Sequence, residues 1–277
     1  MSNPANVNAI CRFRPMNDLE KTSGNEQICD FTSPTSLTFH LPREKNVYRF
    51  NFDRIFPPSS TQQDIYDFGV KGIIDSVLDG YNGTVLAYGQ TSSGKTYAMQ
   101  GEMDEERKQG IIPRMINHIF KHIYKNEGTD FMIKVSMIEI YQEKIRDLFD
   151  VSRVNLNIRE DSIKGIYVDG ASERYVGCPN DVLTLLELGS ANRLKQQQIW
   201  MSILLEVIGN SKTCLIIICS PSIYNENESL STLRFGERAK KIKNKPKINK
   251  EITVAELQKL VTQLKEQLKK QMLELFS

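Results

Sequence analysis

The chain has 277 residues, 40% apolar and 25% charged, with a formal net charge of +2. That length suits one large domain or two small ones, and the near-neutral balance gives no bulk electrostatic case for nucleic acid or a membrane surface. The longest apolar run, Cys214–Cys219, is far too short to cross a bilayer, and the opening MSNPANVN lacks the pattern of a signal peptide.

Five cysteines, at 11, 29, 178, 214 and 219, are odd in number and lack metal-ligand spacing. They read as reduced thiols of a cytosolic protein. Residues 7–14 (VNAICRFR) alternate into a first strand that ends in Arg12, Arg14 and Pro15. Composition alone reads the two arginines as a solvated strand end. Short alternating runs at 27–31, 36–41 and 46–50, separated by Ser-Pro-Thr and Pro-Arg, predict a small antiparallel lobe between Glu26 and Phe56. From Thr61 to Asp79 the spacing turns helical, with Ile65, Phe68, Ile73 and Val77 as the apolar positions. Thr61 and Asp64 are spaced as a capping pair.

After the turn Gly80–Gly83 comes Thr84–Tyr88, a short apolar run that reads as a buried strand. It leads into Gly89, Gln90, Thr91, Ser92, Ser93, Gly94, Lys95 and Thr96, a match without exception to G-x-x-x-x-G-K-[ST]. The chemistry explains each residue type. Two glycines let the backbone bend so that successive N–H groups point at phosphate oxygens. Lys95 supplies a positive charge near the β- and γ-phosphates, and the Thr96 hydroxyl can ligate Mg²⁺. A helix opening at Thr96–Met99 adds a favourable dipole.

Glu102–Lys108 reads as a charged surface insertion, followed by a helix over 114–124. His118 and His122 lie four apart but find no third ligand, so they read as helix-surface histidines. Phe131–Tyr141 predicts one long strand, Gln142–Phe149 a turn or short helix, 155–159 and 165–169 a hairpin, and Asp181–Asn192 a helix.

The ordered runs CRFRP (11–15), FDRIF (52–56), YNGTVLAYGQTSSGKTYAM (81–99), IIPR (111–114), VSMIEIYQEKIRDLF (135–149), GSANR (189–193) and the run from Ser229 to Asn244 resemble the motor domain of a kinesin, most closely the conventional kinesin-1 heavy chains. The resemblance covers nearly all of residues 5–250. It implies an α/β P-loop NTPase of kinesin type, with a central, mostly parallel or mixed sheet and helices on both faces. The implied ligands are ATP or ADP with Mg²⁺. Arg12, Arg14 and Pro15 would flank the adenine with Tyr97 on its other side, which displaces the solvated reading of the arginines. The implied partner is the microtubule, and residues 144–168 resemble the lobe that faces tubulin. There Lys144, Arg159 and Lys164 would meet an acidic surface. Location in the cytoplasm, on the cytoskeleton, follows from the same resemblance.

The pattern breaks after Arg193. Neither N-x-x-S-S-R-S-H nor D-L-A-G-S-E occurs in the sequence, and the resemblance resumes near Ile203 after a junction at about 194–202. By resemblance, both nucleotide-sensing switches, two central strands and the main tubulin-binding helix are missing. The family is a microtubule-stimulated ATPase that moves toward plus ends, but hydrolysis of this kind rests on positioning water and stabilising charge. No catalytic residue is identified in the chain, and it is expected to be inactive. Asp169, which ends an apolar run, matches the tubulin-facing hairpin rather than a switch. Without the missing strands, the 84–88 strand is expected to carry an open edge.

The motor domain is expected to span 1–239 and a lysine-rich neck linker 240–252, where Pro246 interrupts any helix. A short helix over 253–277 follows. It opens on a capping box, Thr253–Glu256, and places Val254, Leu257, Val261, Leu264, Leu268 and Leu275 at heptad positions, with Gln271 the exception. Such a helix would dimerise weakly, with itself or with another heavy chain. Nothing in the chain points to nucleic acid or to membrane insertion.

Overall fold

A computed structural model describes residues 5–22, 26–126, 131–141, 143–161, 165–193, 211–246 and 248. The chain divides into two units, Met1–Lys247 and Ile248–Ser277. The helix expected over 253–277 lies outside the described residues, as do the 194–202 junction and Lys164.

In chain order the first unit holds β1 (Ala5–Asn6), β2 (Asn8–Phe13), α1 (Asp18–Thr22), β3 (Cys29–Asp30), β4 (Ser36–Leu41), β5 (Asn46–Asn51) and β6 (Arg54–Phe56). Next come α2 (Gln62–Ile65), a π-helical turn (Tyr66–Val70), α3 (Lys71–Leu78), β7 (Gly83–Tyr88), α4 (Lys95–Met99) and α5 (Ile111–Lys125). The strands β8 (Ile133–Val135), β9 (Ile138–Tyr141), β10 (Lys144–Asp147), β11 (Val154–Asp161), β12 (Gly165–Asp169) and β13 (Arg174–Val176) lead to α6 (Pro179–Ala191). The last elements are β14 (Lys212–Cys219), α7 (Glu226–Ala239) and β15 (Lys243–Asn244).

The core is a four-stranded parallel sheet in the order β6-β2-β14-β7. Alternation along its strands decides which face each side chain serves. Ala9, Cys11 and Phe13 of β2, with Leu215, Ile217 and Cys219 of β14, pack against Leu230 and Leu233 of α7 and against Phe39 and Phe50 of the antiparallel lobe β3-β4-β5. Ile10, Cys214, Ile216 and Ile218 point the other way, onto Ile65, Val70, Ile74 and Ile111. Both faces are therefore covered, which is why β14 reads as an unbroken apolar run rather than an alternating one. No described helix is long and apolar enough to cross a membrane. All five cysteines are free; Cys11, Cys29 and Cys219 share one core cluster, Cys214 lies in the other, and Cys178 is partly exposed. Burial is the main cause that pushes the Cys29 thiol well above its ordinary pKa and raises Cys214 to about 12.

Several local expectations hold. The lobe is antiparallel, β11 and β12 pair antiparallel as a hairpin requires, and Thr61 and Asp64 form a full capping box on α2. Others need correction. The apolar spacing puts Phe68 and Val77 on the buried face of their helix, but they are 46% and 36% exposed. The π-helical turn shifts the register, so Tyr66, Val70 and Ile74 are buried instead. The single strand expected over 131–141 is two strands that serve different partners: β8 pairs with β13, and β9 with β10. Of the stretch expected as a turn or short helix over 142–149, the described residues 143–149 contain no helix. Glu143 takes φ +63°, the chain turns back, and β10 completes a β9–β10 hairpin in the meander β9-β10-β11-β12. His118 is not a bare surface histidine, since its Nδ1 meets the Tyr66 hydroxyl at 2.8 Å and its Nε2 lies 3.1 Å from Asp75. No metal-binding group of His, Cys, Asp or Glu occurs among the described residues.

Among the described residues β7 pairs with β14 alone, although its TVLAY sequence is as apolar as a central strand. No residue of β7 is fully buried, whereas seven of the eight in β14 are. A cavity of about 250 Å³ lies beyond β7, between Val85, Ala87 and Met99 on one side and Met137, Ile138 and Leu148 on the other. Each unpaired backbone group in such a place costs about 1–3 kcal/mol, and an open apolar edge invites pairing between chains. The isolated chain is therefore expected to unfold below about 45 °C, the lower end of the range common for mesophilic domains, and to scatter light as concentration rises. A cooperative melt above that temperature, independent of concentration, would count against the open edge as a defect.

Candidate functional site

The site grows from the carboxyl ends of β2, β14 and β7, which parallel pairing brings to one edge of the sheet. The turn from β7 into α4 is Gly89–Thr96. Gly89 touches the end of β14, where a Cβ would sit 2.3 Å from the Ile218 carbonyl oxygen, so no other residue fits. Gly94 takes φ +101° just before α4, a left-handed conformation that glycine adopts without penalty. Ser92 is also left-handed, at φ +62°.

Lys95 Nζ donates to the Gly89 carbonyl at 2.8 Å and also to the Gln90 carbonyl, crossing the mouth of the loop. Burial lowers its pKa. Ser93 is fully buried, and its Oγ lacks a hydrogen-bond partner, as does Gln90 Oε1. Thr91, Ser92 and Thr96 are exposed. A partly desolvated ammonium, an orphaned buried hydroxyl and a glycine-shaped turn fit an anionic phosphate chain. Thr96 is placed where its hydroxyl could join phosphate oxygens around Mg²⁺.

Beside the loop, Arg12 is only 6% exposed, and its Nη1 donates to Gln62 Oε1 at 2.8 Å. Its guanidinium lies 5.2 Å from the centre of the Tyr97 ring. Gln62 Nε2 in turn donates to the Tyr97 carbonyl at 2.7 Å. Arg12 is thus committed beside Tyr97, a residue that is itself 39% exposed. Arg14 donates from Nε to the Ser92 carbonyl and forks onto Glu20 with Nη1 and Nη2. Pro15 is exposed, and its carbonyl accepts from Arg14 Nη1 at 2.9 Å.

Sequence reasoning missed Gln62, Glu20 and Asn225. Asn225 lies at the start of α7 and accepts from Gln90 Nε2 at 2.7 Å. A signal for Glu20 was present, since Asn17-x-x-Glu20 has capping-box spacing and both reciprocal bonds form. Burial would raise the Glu20 pKa, but hydrogen bonds from Arg14, the Asn17 N–H and Ser220 win and bring it to about 2. No sequence pattern links Gln62 or Asn225 to the loop, because their partners are distant in the chain.

The cavity beyond β7 also reaches the loop, and Lys95 and Thr96 line it together with Glu139 and Arg193. Glu139 pairs with Arg146 at 3.1 Å and lies 3.9 Å from Arg193. Asp169 is elsewhere, paired with Arg159 at 2.6 Å across the β11–β12 hairpin. Lys144, on β10, is exposed in the same meander.

The chain has clear relatives among known proteins. The family model described as the kinesin motor domain matches residues 12–200. A kinesin heavy chain of Syncephalastrum racemosum is 36% identical over 349 positions, covering 94% of this chain and 37% of that protein. The Drosophila melanogaster kinesin heavy chain is 35% identical over 338 positions, covering 90% of this chain and 34% of its own length. The chain thus spans about a third of the length of these relatives. A solved structure titled as that of a fast kinesin superposes with a TM-score of 0.78 at 30% identity, covering 91% of this chain and 96% of that one. The first alignment uses 94% of 277 residues, about 260, across 349 positions, so on the order of ninety positions inside it have no counterpart here.

Gln62→Ala should destabilise the domain by about 1–3 kcal/mol, because it strands the buried Arg12 guanidinium without its acceptor. The shift in urea midpoint measures this. A variant within about 0.3 kcal/mol of the parent would remove Gln62 as the support of this wall.

Proposed function

The chain belongs to the kinesin motor-domain family, and from that premise we propose that it binds ATP or ADP with Mg²⁺ at Gly89–Thr96 and binds microtubules through the lobe of residues 144–168. The observation that carries the reading is the glycine loop at the carboxyl end of a parallel strand, with Lys95 across its mouth and the Ser93 hydroxyl unpartnered. Backbone N–H groups of Gln90–Thr96 would cradle the phosphates. Lys95 would exchange its two loop carbonyls for phosphate oxygens, regaining the charge stabilisation that burial denies it. The exposed face of Tyr97, stiffened by Arg12, would take the base, with Arg14 and Pro15 on the other side. Mg²⁺ held by Thr96 would screen the charge of the phosphates. Lys144, Arg159 and Lys164 would meet acidic tubulin in the cytoplasm. A helix at 253–277 would add weak pairing with itself or another heavy chain.

ATP hydrolysis coupled to plus-end movement is the fuller activity of such motors. It depends on groups that orient water and stabilise the transferring phosphoryl. The sequence holds neither switch motif, and about ninety aligned positions lack a counterpart. The reading we favour is therefore binding without stimulated turnover. A second reading, that of an ordinary motor, is favoured by the abruptness of the break between two well-matched halves. It requires that the transcript carry both switch motifs between codons 193 and 203, which sequencing across codons 185–215 decides.

For the chain with this sequence, ATP turnover should not rise above background on adding microtubules. A stimulated rate that Lys95→Ala abolishes would overturn that expectation. Binding of a fluorescent ADP analogue should weaken at least about tenfold in Lys95→Ala, the equivalent of one charge-assisted contact. Equal affinity in the two proteins would refute the nucleotide site.

A further inference from the structure

We infer that Glu20 is a positioning residue for the phosphate loop, acting through two separate arms; the inference rests on the nucleotide reading above. The Glu20 side chain is 1% exposed. Its Oε2 accepts from Arg14 Nη1 at 2.6 Å and from the Asn17 N–H at 2.8 Å. Its Oε1 accepts from Arg14 Nη2 at 2.7 Å, Ser220 Oγ at 2.8 Å and Asn225 Nδ2 at 2.6 Å. One carboxylate thereby ties together the ends of β2 and β14, the start of α1 and the start of α7.

Both arms end on the loop. Arg14, fixed by its fork onto Glu20, donates from Nε to the Ser92 carbonyl at 3.2 Å. Asn225, fixed by donating to Glu20, accepts from Gln90 Nε2 at 2.7 Å. The arms thus seize the residues on either side of Thr91, in the half of the loop where Ser92 holds a left-handed conformation. The loop is gripped from two sides by one buried charge. A buried ion pair is costly to desolvate and is seldom a cheap source of stability. Its value here is geometric: it holds the loop open in one shape before phosphate arrives. The unpartnered Gln90 Oε1 lies in the segment so held, and the unpartnered Ser93 Oγ directly after it.

Charge and position make opposite predictions, which makes the inference testable. Glu20→Gln removes a negative charge near a site for anions. If Glu20 mattered only through its charge, affinity would stay level or improve. As a positioning residue, its loss should weaken binding of the fluorescent ADP analogue about three- to tenfold, the effect of one or two neutral hydrogen bonds. Should Glu20→Gln fail to fold, Gln90→Ala and Asn225→Ala cut a single arm at either end. Each should cost a similar factor. The double variant should cost no more than the larger single one, because both remove the same contact.

Folded fraction is read by circular dichroism in every sample, so that loss of fold is not counted as loss of affinity. Full-strength binding in folded Glu20→Gln, or losses in Gln90→Ala and Asn225→Ala that multiply in the double variant, overturns the inference while leaving the nucleotide site standing. Equal affinity of the parent and Lys95→Ala removes the nucleotide site itself, and the inference falls with it.

Discussion

Everything at the candidate site depends on the parallel pairing of β14 with β2 on one edge and β7 on the other. The pairing is in register, so the strands run out together and release their following residues at one end of the sheet. Arg14, Ser220 and Gly89 are those residues, and each continues into a wall of the site. At Gly89 the strands run so close that a side chain would strike the Ile218 carbonyl. A crevice at the carboxyl ends of parallel strands is where open α/β sheets commonly bind ligands. Here the crevice follows from register, and the register from β14, whose apolar run can be satisfied only by burial on both faces.

Much of this was legible in the amino-acid order because it is local. The phosphate loop and the capping pair at Thr61 and Asp64 declare themselves within ten or so residues, and the antiparallel lobe within about thirty, through turn chemistry and alternation. The illegible parts were set by distant partners. Nothing near Phe68 announces a π-helical turn, and there the 3.6-residue period fails. Nothing near Ser136 shows that the chain changes sheets between β8 and β9. Glu20 sat in a recognisable cap, but its bonds to Ser220 and Asn225 cross about two hundred residues. Composition alone would have left Arg12 in solvent, whereas Gln62 and Tyr97 hold it inside.

Beside β7 the fold is thin: among the described residues this apolar strand has a partner on one edge and a cavity beyond the other. The site thus divides into a half that is built and a half that is thin. The built half comprises the loop, Lys95, Tyr97 and the Arg12 and Arg14 anchors. On the thin side Lys95 and Thr96 look across the cavity to Glu139 and Arg193, a charged pair that no sequence pattern had suggested for this place. On the proposed reading, nucleotide binding rests on the built half.

The cysteines turn this architecture into a built-in chemical clock. Cys11, Cys29 and Cys219 sit on one side of the parallel sheet and Cys214 on the other, all inaccessible, while Cys178 is partly exposed at the start of α6. A thiol-alkylating reagent should therefore mark Cys178 first and the remaining four only when the sheet opens. The order in which their masses shift would report which face parts from its helices first, without any label being introduced.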